Sequence, residues 1–169
     1  MAKERQPSRS GKAELDPTQS YRLAMKQLIG DRWGAVWKAV PVAIAGEDIE
    51  GVHDVRVASR RLRAAMDVAA ECFPEGWYRP LHEVAKEITG ALGEVRDRDV
   101  LIEHLTAERD QAAAGDQPGI DRLIARVSRE RDLARTKMEA FLNGLAERQI
   151  ATETVKRFGA AAGWPDATV

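Results

Sequence analysis

Cysteine is nearly absent: Cys72 stands alone in 169 residues, which excludes an internal disulfide and suits a reducing compartment. Long apolar runs are missing too. No stretch of about 18 apolar residues occurs, so nothing reads as a membrane span. The basic opening from Met1 to Lys12 lacks an apolar segment, so no secretory signal is read and the cytosol is the expected location. Net charge is scarce at −1, so the protein as a whole does not attract polyanions, and any anion site must come from local segregation of charge. Aromatic residues are few, with four Trp, two Tyr and three Phe. No segment alternates apolar and polar residues over a sustained run, which argues against strands. The motifs of hydrolytic and nucleotide chemistry are lacking as well. His53-Asp54 and His82-Glu83 do not form H-E-x-x-H, Cys72 has no partner cysteine, and there is no G-x-x-x-x-G-K-[ST] loop and no Ser/His/Asp set. Catalytic residues, metal ligands and cofactors are therefore not expected.

What is present is helical. With 44% apolar residues the chain can build one domain with a genuine core. Residues 1–15 are polar and turn-rich and read as a disordered basic tail. Asp16-Pro17 reads as an N-cap followed by a first-turn proline, with Gln19 placed for a capping box. A first helix is predicted over about 17–40, closed by Pro41, and a second over about 49–72, capped by Asp48 and stopped at Pro74-Glu75-Gly76. A third follows over about 78–108, and a fourth over about 119–149 after the Gly115-to-Gly119 break. The expected fold is all-α, an antiparallel four-helix bundle over residues 16–150, with 151–169 as a C-terminal tail.

The richest stretch is His53-Asp54-Val55-Arg56-Val57-Ala58-Ser59-Arg60-Arg61-Leu62-Arg63. At about 100° per residue, His53, Arg56, Arg60 and Arg63 fall within roughly an 80° arc, nearly opposite Val55, Ala58, Leu62, Met66 and Ala69. One helix thus carries a cationic rail and an apolar stripe. Guanidinium groups one turn apart repel unless an anion lies along them, and a chain of phosphates fits that need. Arginines at helical spacing are usually the wet side of a bundle helix, laced by acidic residues three or four positions away. Here such residues stand only at the ends, as Glu50 and Asp67. The third helix bears a second polar line of His82, Lys86, Gly93 and Arg96, with Arg79 near its start, and the two lines could share one groove. Arg22 and Lys26 on the first helix, and Arg122, Arg126 and Arg129 on the fourth, could extend it. Arg96-Asp97-Arg98-Asp99 reads as structural ion pairs that steer Arg96, since carboxylates beside guanidinium groups stay ionised. Glu130 and Asp132 among the arginines of the fourth helix make it an ordinary charged exterior.

Two segments carry a family resemblance. The run from Val52 to Arg63 resembles the signature of the CHAD family, the conserved histidine α-helical domain. Ala91-Leu92-Gly93-Glu94-Val95-Arg96-Asp97-Arg98-Asp99-Val100-Leu101 is similar to that family's L-G-x-x-R-D-x-D-V-L segment. The resemblance extends over roughly residues 17–150. It implies a helical fold that binds inorganic polyphosphate through basic side chains, often beside a CYTH-type triphosphatase or on polyphosphate granules. His53, Arg56, Arg60, Arg61 and Arg63 match the first motif, although Arg61 lies off the rail. Arg96 and Asp97 match the second, with Lys86 upstream. A full domain of this family resembles two four-helix halves, and this chain resembles the first half only; Arg126 to Arg131 faintly echoes the basic motif without a histidine. A homodimer with rails facing each other would restore the missing wall.

The expected function is non-catalytic polyphosphate binding through a basic helical groove. One alternative is a phosphohydrolase or phosphotransferase using His53, but Asp54 points about 100° away from it on a helix and could not orient it. Another is a nucleic-acid-binding helical module, which the absence of aromatic residues within the rail disfavours for single strands.

Overall fold

The computed structural model describes residues 17–46 and 49–159. Five helices follow one another: α1 (Tyr21–Ala45), α2 (Ile49–Val68), α3 (Glu75–Gln111), α4 (Gln117–Glu147) and α5 (Ile150–Phe158), with a short 3-10 turn at Ala70–Cys72 between α2 and α3. No strand occurs among the described residues. Each of the first four helices packs on the next in sequence. α1 and α4 meet only along a short stretch, and α5 packs against both. The all-α bundle therefore stands as expected, with one helix more than expected.

Helix ends depart from the sequence reading in instructive ways. α1 begins after Ser20, whose hydroxyl accepts from the Leu23 amide at 3.3 Å. The expected cap Asp16 lies outside the described residues, as do Asp48 and the basic tail 1–15. α1 also runs through Pro41 to Ala45. Proline lacks the helical donor and its ring crowds the carbonyl four residues back, but this one stands on the exposed side near the helix end, and the helix continues past it. Closure comes at Gly46, which takes a left-handed conformation (φ 68°) and donates its amide to the Val42 carbonyl at 3.2 Å. A side chain at Gly46 would also collide with the Arg135 guanidinium. That guanidinium caps α1: its Nη2 donates to the carbonyls of Ala43 at 3.1 Å and Ile44 at 2.9 Å, while Nε contacts Glu139 at 2.7 Å. α1 has no basic residue in its own last turn, so α4 supplies the positive charge that its carbonyl end favours.

The core is one continuous cluster. Trp33, Ile29, Leu62, Met66, Ile88, Leu92, Met138 and Leu145 are fully buried within it. Trp33 and Trp37 stack at 5.4 Å, and Trp37 Nε1 donates to Thr154 on α5 at 3.1 Å. Phe158 joins Phe73, Trp77 and Tyr78 in an aromatic group. The segment assigned to the C-terminal tail thus begins with a helix whose residues belong to the core. Gly30 of α1 lies against the end of α5: a Cβ there would lie 3.3 Å from the Phe158 carbonyl.

Replacing Arg135 with Met keeps the aliphatic stem but leaves the Ala43 and Ile44 carbonyls without their charged donor. Loss of about 2 kcal/mol of stability is expected in urea unfolding, with native helicity unchanged.

Candidate functional site

α2 buries Val52, Val55, Ser59, Leu62 and Met66, Ala69 just beyond its end is buried too, and the cationic rail borders that face. His53 and Arg56 are half-buried, whereas Arg60, Arg61 and Arg63 are exposed. Three contacts fix how α2 meets α3. Thr89 Oγ1 donates to Ser59 Oγ at 3.1 Å, and the fully buried Ser59 donates in turn to the Arg56 carbonyl at 3.0 Å. Tyr78 donates its phenol to the Met66 carbonyl at 2.8 Å. Asp67 Oδ1 lies 2.8 Å from His82 Nε2, an electrostatic contact rather than an aligned hydrogen bond.

These contacts make α2 and α3 antiparallel with a definite register. Passing along α2 from Arg63 through Arg60 and Arg56 to His53 runs past α3 from Lys86 through Thr89 and Gly93 to Arg96. Asp67 lies on the same line of α2 as the rail, and its reach to His82 shows that this line borders α3. On α3, His82, Lys86, Gly93 and Arg96 lie within about 60° of Thr89, the residue that touches α2. The two polar lines therefore flank one seam, about 15 Å long between His53 and Arg63 at the helical rise. Gly90 and Gly93 stand beside it over open space, with nothing within 4 Å of where a side chain would start.

The charges along the seam divide sharply. Among the described residues, none of the ion pairs involves His53, Arg56, Arg60, Arg61, Arg63 or Arg96. Arg56 Nε is buried and has no hydrogen-bond partner. The α3 end of the line is partly neutralised. Lys86 pairs with Glu83 at 2.9 Å and Arg79 with Glu75 at 3.4 Å, both on the surface, where such pairs contribute little. The hydrogen bond from Lys86 holds the Glu83 carboxyl below the usual carboxylate range. His82 also stacks on Tyr78 at 6.4 Å.

Several expectations are corrected here. Arg22 and Lys26 do not join the seam; with Arg157 they line a cavity of about 260 Å³ around Phe73 and Trp77 that includes no α2 residue. Arg22 lies 5.8 Å from the Phe73 ring centre and Arg157 lies 5.0 Å from that of Trp77. The Arg96-Asp97-Arg98-Asp99 cluster does not steer Arg96. Arg98 turns to the Glu94 carbonyl at 2.7 Å, and Asp99 pairs with Arg131 of α4 at 2.9 Å. Nor is α4 merely an exterior, since Arg131 and Arg135 both reach across to other helices. Burial opposes the charge on Arg131, but hydrogen bonding and attraction to Asp99 and Asp132 outweigh it and raise its pKa above the ordinary arginine value. Arg122, Arg126 and Arg129 do remain exposed, with Arg126 paired to Glu130 at 3.1 Å. The Ser59–Thr89 bond had no signal in the sequence beyond a hydroxyl on each helix.

The family model of the CHAD domain matches residues 27–167, most of the chain. This chain belongs to the CHAD family. The match runs on through α5, so the CHAD region reaches past residue 150, where the sequence resemblance stops. Comparisons with curated proteins and with solved structures found no match. Among the described residues, no helix is long and apolar enough to cross a membrane.

Tyr78 offers a test of the seam. Burial, reinforced by nearby Cys72 and Asp67, pushes its phenol well above the usual value. Its contribution to stability is complete below about pH 10, the unfolded value, and is lost as pH rises above that. Tyr78→Phe is expected to cost about 1–2 kcal/mol in urea unfolding at neutral pH. It should also shrink the alkaline loss of stability, measured by repeating the unfolding series between neutral pH and pH 11.

Proposed function

We propose that this CHAD protein binds inorganic polyphosphate, without turning it over, along the α2–α3 seam. The reading rests above all on one observation: among the described residues, no carboxylate is paired with Arg56, Arg60, Arg63 or Arg96 along the seam, and the buried Arg56 Nε has no hydrogen-bond partner. Unpaired guanidinium groups held one turn apart are destabilising until an anion bridges them, and each can meet a phosphate with two parallel hydrogen bonds. In this reading His53 and Arg56 form the inner contacts, Arg60 and Arg63 the outer ones, and Arg96 the facing wall. Lys86 joins by leaving Glu83. Gly90 and Gly93 keep the passage open. Arg61, His82 and Arg79 contribute at the margins, and Arg22 and Lys26 lie outside the path. His53 serves as a donor to phosphate, since among the described residues no carboxylate is paired with it to orient it as an acid or base.

The module holds the polymer for a catalytic partner such as a CYTH-type triphosphatase, or on cytosolic polyphosphate granules. A second copy laid trough to trough would enclose the chain. Light scattering is then expected to show the mass of two copies per long polyphosphate.

The direct test is the double variant Arg56→Ala/Arg60→Ala. Loss of two charged contacts is expected to weaken polyphosphate binding by about a hundredfold, with circular dichroism unchanged. The slope of log affinity against log salt should also become shallower. Normal binding by the double variant would reduce the rail to a solvated face. Release of phosphate by the wild-type protein would instead favour the hydrolase reading.

A further inference from the structure

The cations of α1 that stand outside the seam gather around a cavity of their own. Arg22 and Lys26, with Arg157 of α5, line a space of about 260 Å³ walled by Phe73 and Trp77. Arg157 is already paired with Glu153 at 2.6 Å. Among the described residues, Arg22 and Lys26 belong to no ion pair. α1 also has no acidic residue in its first turn, so its positive end adds to the same field. Leu23 at the rim is 45% exposed, and Trp77 is only half-buried. Aromatic walls and surplus positive charge together suit an occupant that has both a ring and a carboxylate.

The chain beyond α5 carries both. Residues 160–169 contain one aromatic residue, Trp164, and one charged residue, Asp166. The family match extends to residue 167 and so includes them. The heading of α5 leads toward the cavity. α5 runs along α1 from Trp37, which Thr154 meets at 3.1 Å, to Gly30, where a Cβ would lie 3.5 Å from the Gly159 carbonyl. The same direction reaches Lys26 and then Arg22, four and eight residues before Gly30, on one side of α1 and within about 12 Å. Five residues take the chain from Gly159 to Trp164, enough to span about 17 Å when extended. We infer that the segment from Ala160 to Ala167 continues along α1 and closes this cavity, with the Trp164 indole against Phe73 and Trp77 and the Asp166 carboxylate on Arg22 and Lys26. The occupant is the chain itself, and the two cations left out of the seam are neutralised by it. The inference is independent of the polyphosphate reading, and its test omits that polymer.

Backbone relaxation of the full chain labelled with nitrogen-15 tests this directly. Amides of residues 162–167 are expected to have order parameters of about 0.85, the level of a rigid backbone. Asp166→Lys should lower them below about 0.6, with circular dichroism unchanged. Lys26→Glu should loosen the same amides. Combining Asp166→Lys with Lys26→Glu should restore their order, because the pair is rebuilt with its charges exchanged. Light scattering assigns the copy. Order in a chain of single mass keeps the contact within one molecule. Order that is lost when a particle of twice that mass is diluted apart places the segment in a second copy and overturns the inference. Order parameters below about 0.6 in the wild type, or order unmoved by Asp166→Lys, would overturn it as well and leave the cavity to an external anion.

Discussion

The contact between α2 and α3 is the constraint on which the rest depends. Hydrophobic burial alone would let two amphipathic helices slide by a turn with little change in area. The polar bonds do not allow that. Tyr78 is buried, and its phenol finds its acceptor only where the Met66 carbonyl of α2 stands opposite; in the same register the Thr89 hydroxyl meets the fully buried Ser59, whose own proton goes to the Arg56 carbonyl. A buried donor left without an acceptor costs about as much as several methylene groups gain, so the register is enforced by polar satisfaction. That register brings Arg96 opposite His53 and Lys86 opposite Arg63. Cations from two helices then share one trough, an arrangement that electrostatics opposes and the core beneath it must sustain.

Four other arginines clarify the first group by contrast. Arg135 caps α1, Arg131 joins Asp99, Arg109 closes the α3–α4 tip on Asp121, and Arg157 pairs with Glu153 at 2.6 Å. Each has a carboxylate or a row of carbonyls within reach, and each holds one element to another or to itself. A chain with a net charge of −1 has enough acids to neutralise its bases. That the rail lacks them is therefore a matter of placement.

The rail itself was legible because helical spacing turns a string of residues directly into a face. The stripe of Val55, Leu62, Met66 and Ala69 was legible for the same reason, and all four are buried. What spacing cannot give is the relation between helices. Arg22 and Lys26 looked like an extension of the groove, but their position depends on how α1 crosses Phe73, which no local pattern encodes. Asp99 stood on the apolar side of its helix, a visible anomaly. Its partner Arg131 lies 32 residues away on another helix, so the pair could not be named. α5 escaped notice because it is only nine residues long, too short for periodicity to distinguish it from a tail. Its docking rests on Thr154 meeting Trp37 and on the missing side chain of Gly30.

The shape of the trough bears on which polyanion suits it. Its cations lie along one line of about 15 Å, two helices wide, with no ring among them. A nucleic acid strand presents bases that need a stacking surface to repay their ordering, and α2 itself carries no Trp, Tyr or Phe among its rail residues. A duplex presents phosphates across a width that a single seam cannot follow, and the remainder of the chain, net acidic once the seam cations are set aside, adds no attraction beyond it. A slender chain with charge on every unit and no side groups meets each guanidinium in turn. Uneven burial along the rail then sets a gradient: Arg56, half-buried with an unpartnered Nε, gains most from an anion, and Arg63 at the exposed end gains least. On the proposed reading, a phosphate chain would be held most firmly at the His53–Arg56 end of the seam and more loosely toward Arg63.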